Sequence, residues 1–303
     1  MANDHIWRQI EQLLAGATQH VVLIAPFIKK EVFRAALGAI PARVEEIRCV
    51  TRWSVAEVAA GVSDPEIAEI AEADGRARIE LCHNLHAKLY IADDRCLHGS
   101  ANLTGRATGR VPDANIELLL ETDAGHPEVQ RVLEAIETTC VPASVDLARQ
   151  IREQADLLQT DDDAPKVLIA GQDRILGHWL PETRNPERLY RVYTGRHRNI
   201  GGHVLAGVLR DLAHLDVPPG LSEQAFGETV LAGLRSMPEI RRLFQVGTLN
   251  MDDAKRELAA SRACTEEQAQ RAVETIAQWL HYFAEVHLVP VGPWEIRQGR
   301  EIK

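Results

Sequence analysis

The chain has 303 residues, 45% of them hydrophobic and 26% charged, with a formal net charge of −10. That length suggests about two domains at roughly 150 residues each, in a composition ordinary for a globular protein. The acidic balance argues against a surface coated in DNA-binding charge and leaves only local basic grooves for that role.

Residues 6–14 have helical apolar spacing. Residues 20–26 (HVVLIAP) form a short apolar run ended by proline, as a buried strand does. Helix returns over 30–37, with Gly38 as its stop. A second strand follows over 46–51, then helices over 55–60 and 65–73. Strands are predicted over 77–82, 85–92 and 95–97 around turn signals, another over 115–121, and a helix over 127–138. This alternation predicts an α/β sandwich with a mixed sheet. The stretch 160–165 (TDDDAP) breaks the periodicity with a charge cluster and a proline. It sets a boundary between a domain at 1–160 and a second, mainly helical one at 166–303. Strands are predicted there at 166–170 and 188–193, helices at about 204–215, 222–234, 251–260 and 266–286, and an extended tail at 286–291. Residues 1–160 carry 16 Lys and Arg against 24 Asp and Glu, the remainder 18 against 20, so the acidity sits in the first half.

No run of 18 apolar residues offers a membrane span, and the N-terminus lacks the basic region and apolar core of a signal peptide. The five scattered cysteines, Cys49, Cys82, Cys96, Cys140 and Cys264, read as reduced thiols, which points to a cytoplasmic protein with no membrane contact.

The informative stretch is His86-Ala87-Lys88-Leu89-Tyr90-Ile91-Ala92-Asp93, followed by Gly99-Ser100-Ala101-Asn102: H-x-K-x4-D, then G-S-x-N. In an extended segment, a histidine and a lysine two residues apart share a face, with Leu85, Ala87 and Leu89 turned to a core. A neutral imidazole, with a reference pKa of about 6.5, is a good nucleophile near pH 7. Lys88 would neutralise a non-bridging oxygen, and Ser100 and Asn102 would hydrogen-bond phosphoryl oxygens. The set suits a phosphodiester. Glu117 is a candidate to orient an imidazole, against the alternative of an edge-strand carboxylate facing water.

These residues resemble the phospholipase D superfamily, whose signature is the HKD motif. Residues 85–104 (LHAKLYIADDRCLHGSANLT) look like its nuclease-type branch. Asn115-Ile116-Glu117 and the leucines after it are similar to the strand that follows the motif, and 20–27 (HVVLIAPF) to the family's first strand. The gap between Asp93 and Gly99 is one residue shorter than the commonest family pattern. The resemblance implies a phospholipase D-like α/β sandwich over roughly the first half of the chain, a phosphohistidine intermediate, no metal or other cofactor, and an Asp93 that organises the fold rather than touching substrate.

Displacement at a phosphodiester needs a nucleophile and an acid for the leaving oxygen. Family members with two motifs hold both in one chain. This chain has one motif, since His126, His197, His203 and His214 lack a lysine two residues on. A homodimer pairing two His86 residues supplies both. A single motif plus an added domain suggests a DNA nuclease of restriction or phage-defence type, with a possible defence-system protein partner, by analogy of architecture. The alternatives are a phospholipid or small phosphodiester hydrolase, and a partner-activated regulatory or binding module of a defence complex.

Other clusters carry weaker signals. Cys82, His83, Cys96 and His98 lie close in sequence, but their spacing fits no zinc knuckle. Residues 184–198 (RNPERLYRVYTGRHR) set five arginines against one glutamate, with Tyr190 and Tyr193 interleaved. Arg188, Arg191, Arg196 and Arg198 are the leading nucleic-acid ligands, with the tyrosines able to stack on bases. The alternative is a solvated basic face or an interdomain contact. Trp279, Tyr282 and Phe283 fit a core or dimer face.

Overall fold

A computed structural model of the chain describes residues 4–160, 179–262, 264–284, 286–289 and 295–298. They fall into two compact units that divide after Gln159.

The N-terminal unit runs α1 (His5–Ala15), β1 (His20–Ile24), α2 (Lys30–Ala39), β2 (Glu46–Thr51), α3 (Val55–Ala59), α4 (Ile67–Asp74), β3 (Ala77–Leu81), β4 (Leu89–Ala92), β5 (Arg95–Gly99), α5 (Gly105–Thr108), β6 (Leu119–Asp123), α6 (Pro127–Thr139), β7 (Val141–Pro142) and α7 (Val145–Gln159). The strands form one mixed sheet in the order β6-β5-β4-β1-β2-β3-β7. Pairings β1–β2 and β2–β3 are parallel and the others antiparallel. Sheets covered on both faces need apolar strands throughout, and Ile47–Thr51 are all buried. Neighbours along a strand divide between two cores. Leu23, Cys49 and Tyr90 join one around Phe33 and Trp7. Ile24, Val50 and Ile91 join the other with Val129 and Ile136 of α6. The unit is thus the α/β sandwich with a mixed sheet that the sequence predicts.

The boundaries differ where tertiary pairing decides them. Gly38 does not stop α2, which continues to Ala39; Ile40 ends it by turning extended (φ −81°, ψ 125°), as a residue before proline does. The segment predicted as strand over 85–92 joins the sheet only at Leu89, which pairs with Ile24, the last residue of β1. The one predicted over 115–121 joins only at Leu119, paired with Gly99. Residues 82–88 and 115–118 are therefore loops. Helix α7 was not anticipated, although Ala148, Ile151, Ala155 and Leu158 bury one helical face.

Asp93 forms the β4–β5 turn at φ 56°, a left-handed conformation that Asp tolerates better than most residues. Its carboxylate accepts hydrogen bonds from Thr18 N (2.8 Å), Thr18 Oγ1 (2.7 Å), Gln19 N (2.8 Å) and His20 N (3.1 Å). Partial burial opposes the charge, but these donors outweigh it and hold the carboxyl at about 2. The folded value lies below the usual ~3.9. The link between hairpin and α1–β1 junction is therefore complete above about pH 4 and is lost as pH falls toward 2.

The second unit is mainly helical: α8 (Glu187–Tyr193), α9 (Gly202–Leu215), α10 (Glu223–Ser236), α11 (Pro238–Val246), β8 (Thr248–Asn250), α12 (Met251–Arg262), α13 (Glu266–Phe283), β9 (Val286–Val289) and β10 (Glu295–Gln298). The strands make a small antiparallel sheet, β8-β10-β9. Ser222 caps α10, and Thr265 with Gln268 forms a capping box on α13. Trp279 is fully buried and donates from Nε1 to Thr183 O at 2.7 Å, so it belongs to the core, while Tyr282 is exposed. The strand predicted over 188–193 is instead helix α8. Leu189 and Val192 are buried three residues apart, and Asn185 Oδ1 accepts from Glu187 N at its start. Helix α13 stops at Phe283, short of the predicted 286. Elements α11, β8 and β10 were not anticipated. The strand predicted over 166–170, positions 161–165 of the predicted boundary and 290–291 of the tail lie outside the described residues.

Candidate active site

The topology gathers the motif at one rim of the sheet. Strands β1, β2 and β3 end there, β5 ends there, and β4 and β6 begin there. Loops beyond the carboxyl ends of parallel strands are the usual ligand position in open α/β sheets. His86, Lys88, Ser100, Asn102 and Glu117 all lie on this rim. Asp93 does not: it sits at the far end of β4, five residues from Lys88, or about 16 Å at the strand rise. Although it is part of the motif, it serves the fold.

Because 85–88 is a loop, His86 and Lys88 do not share a strand face as the sequence reading expects. His86 is exposed, whereas Lys88 is buried and donates from Nζ to the His86 carbonyl at 2.6 Å. An ammonium has three N–H donors, so two more are available for an anion. Burial lowers Lys88 to about 8; the Arg52 charge adds to that fall and the Glu117 charge opposes it.

Arg52, which the sequence reading passed over, holds the loop. Its guanidinium bridges Glu57 at 2.6 Å, donates to Leu85 O at 3.0 Å and lies 5.2 Å from the Phe27 ring centroid. A cation just past the end of a central parallel strand was the available signal.

The Gly-Ser-x-Asn turn is built around a backbone approach that only glycine allows. A Cβ on Gly99 would stand 1.9 Å from Leu118 O. Ser100 N donates to Leu118 O (3.0 Å), Leu118 N donates to Ser100 Oγ (3.1 Å), and the hydroxyl donates to the Glu117 carboxylate. Asn115 Nδ2 donates to the other Glu117 oxygen at 3.1 Å. Asn102 Oδ1 accepts from Phe27 N (3.3 Å), and Ala101 O accepts from the buried Tyr90 hydroxyl (2.8 Å). The rim thus presents an exposed imidazole, a partly desolvated ammonium and a hydroxyl–carboxylate pair, which together can hold and attack an anionic ester.

Cys82 Sγ lies 3.4 Å from Thr139 Oγ1, and Cys96 is buried on β5, its thiol pushed up to about 11 by burial. Among the described residues, no three or more His, Cys, Asp or Glu are grouped to hold a metal ion, and no helix is long and apolar enough to cross a membrane. Arg188, Arg191, Arg196 and Arg198 belong to the second unit.

Residues 10–138 match the family model for the cardiolipin synthase, PLD-like domain. Over these residues the N-terminal unit is similar to a phospholipase D-like domain. Both halves of the motif, His86–Asp93 and Gly99–Asn102, lie inside the matched residues. Among solved structures, the chain is similar to Nuc, a phospholipase D family member from Salmonella typhimurium, with 18% identity, 46% of this chain and 90% of that one covered, and a TM-score of 0.36. It is similar to NucT from Helicobacter pylori, with 14% identity, coverages of 46% and 91%, and a TM-score of 0.36. It is also similar to phosphatidylserine synthase of Haemophilus influenzae Rd KW20, with 13% identity and a TM-score of 0.37; that match covers 51% of this chain but 40% of the synthase. No curated protein matches the chain.

If Lys88 is the cation that receives a phosphate at this candidate site, kcat/KM for a phosphodiester should fall above about pH 8, where the free protein loses that charge. A bound phosphate raises the lysine, so the alkaline limb of kcat should lie higher. Lys88→Arg, which stays charged, should remove the limb from both profiles. A kcat/KM flat to pH 10 in the wild type would remove Lys88 from that role.

Proposed function

We propose that the protein is a metal-independent phosphodiesterase acting on DNA, a nuclease of restriction or phage-defence type, working as a homodimer. The observation that carries this reading is the convergence of exposed His86, buried Lys88 and the Ser100–Glu117 pair on one rim of the sheet. The His86 imidazole attacks phosphorus, forming an N–P bond as the P–O bond to the leaving group breaks. The partner subunit's His86 gives a proton to the departing oxygen, then takes one from water, whose oxygen displaces the imidazole. Lys88 offsets charge on the non-bridging oxygens, and the Ser100 hydroxyl joins it by turning its one proton from Glu117 to the phosphate.

One observation favours pairing at this rim. Ile116, Leu118 and Leu120 are exposed at alternate positions beside Glu117 and along β6, which is an edge strand. An apolar edge of this kind invites a second chain, and the reaction lacks one imidazole without it.

The test is cleavage in EDTA of single- and double-stranded DNA, RNA and phosphatidylglycerol vesicles by the wild type and by Leu118→Asp/Leu120→Asp, with sedimentation of both. The expected result is DNA cleavage by a wild-type dimer, and a monomeric, inactive variant. Activity that requires added metal would overturn the mechanism. Cleavage of vesicles without cleavage of nucleic acid would favour a phospholipid hydrolase, with the apolar edge facing lipid. A fully active monomer would end the paired-histidine scheme.

A further inference from the structure

The second unit's arginine segment changes meaning once it is seen as a helix. As a strand, Arg188 and Arg191 would point to opposite faces, being an odd number of residues apart. On α8 they sit at i and i+3, with Cβ atoms about 5–6 Å apart on one face. The chain then folds back: Arg196 N donates to Arg191 O at 2.8 Å, which places Arg196 against the end of the helix. Arg198 follows two residues on, past the buried His197. Arg191, Arg196 and Arg198 are exposed and Arg188 is half-buried.

Their pairing sets them apart from the arginines that hold each unit together through ion pairs. Arg48, Arg52, Arg76 and Arg152 in the first unit, and Arg210 and Arg271 in the second, each bridge a carboxylate. Among the described residues, no carboxylate bridges Arg188, Arg191, Arg196 or Arg198, in a protein of net charge −10. Four arginines within eleven residues, none bridged by an acid among the described residues, suit an external polyanion, whose phosphates accept bidentate hydrogen bonds.

We propose that this arginine surface binds the phosphate backbone of nucleic acid without reading base sequence. The tyrosines interleaved with these arginines are engaged inside the unit. The Tyr193 hydroxyl donates to Pro218 O (2.5 Å) and accepts from Leu221 N (2.7 Å), and its ring packs 4.8 Å from Phe226. Tyr190 lies under the Arg196 guanidinium at 5.8 Å and packs on Phe226. A membrane surface is the poorer fit, because the apolar side chains of α8, Leu189 and Val192, are buried and unavailable to enter a bilayer.

The inference takes its ligand from the nuclease reading, so the test separates the two. Binding of a fluorescein-labelled 30-base-pair duplex is followed by anisotropy between 50 and 200 mM NaCl, in EDTA, with the full chain carrying His86→Ala. Hydrolysis of bis(p-nitrophenyl) phosphate is measured separately with His86 intact. Replacing Arg188, Arg191, Arg196 and Arg198 by alanine should lower the slope of log K on log salt by about 0.9 per phosphate contact. Four contacts correspond to about 100-fold less salt sensitivity across that range. The four-lysine variant should keep most of the slope, which separates lost charge from lost folding. Two duplexes of unrelated sequence should behave alike, and hydrolysis of the small ester should be unchanged. Unaltered duplex affinity and slope in a folded four-alanine variant would overturn the proposal. So would loss of binding to phosphatidylglycerol vesicles with duplex binding intact. Failure of small-ester hydrolysis in every form would instead count against the catalytic reading alone.

Discussion

His86→Ala should lower hydrolysis of bis(p-nitrophenyl) phosphate by about 10⁴-fold or more while leaving the melting temperature within about 2 °C. The rate loss follows from the covalent mechanism, in which the exposed His86 is the attacking group, and removing a nucleophile typically costs this much. The unchanged stability follows from exposure: His86 lies in the 82–88 loop, and a surface truncation away from packing usually changes stability by less than about 0.5 kcal/mol. Scanning calorimetry and initial rates on the same preparation measure both. Denaturing electrophoresis after rapid acid-free quenching of labelled substrate should show phosphate on the wild type and none on the variant. A variant retaining a tenth of wild-type activity would rule out His86 as the nucleophile, and a large fall in melting temperature would make the rate loss uninformative.

Gly99→Ala should be the most damaging single methyl in the N-terminal unit. The added Cβ would meet a backbone oxygen, Leu118 O, at 1.9 Å, and no rotamer change relieves that. The β5–β6 pairing at Gly99 and Leu119 must open, together with the hydrogen bond from Ser100 N to Leu118 O. A loss of about 3 kcal/mol is expected from overpacking of this kind, or roughly 10 °C in melting temperature at this domain size. Activity of the folded fraction should fall as well, because the same hinge sets the Ser100 hydroxyl against Glu117. Gly38→Ala is the control. Gly38 lies in α2, its Cβ would meet nothing within 4 Å, and the exchange should stabilise by up to about 1 kcal/mol. Equal urea midpoints for the two variants would show that the turn is not as tight as described.

The parts of the fold legible in the sequence were those set by local periodicity. Strands β1 and β2 are largely buried and read as mainly apolar runs, and α1, α6 and α9 show their apolar stripes. The motif was legible too, because its residue types and spacing are rare together. What misled was the assumption that a β-like pattern continues to where its apolar residues end. Leu85 and Leu89 both reach the second core, yet only Leu89 finds a strand to pair with. The same error in the second unit made a strand of α8, whose buried Leu189 and Val192 fit a helix's spacing.

By itself, then, the chain determined an α/β sandwich, its mixed sheet and the identity of the chemical groups, since these follow from side-chain type and short-range period. Only the tertiary structure decided where those groups stand. Asp93 and Lys88 belong to one motif but lie at opposite ends of β4, because a strand separates in space what the sequence keeps together. Ser100 and Glu117 are 17 residues apart and hydrogen-bonded, because antiparallel pairing of β5 and β6 returns the chain to the same rim. Arg52 reaches the His86 loop for the same reason: its strand ends beside it. Contacts of this kind depend on register and strand order, which no local pattern encodes.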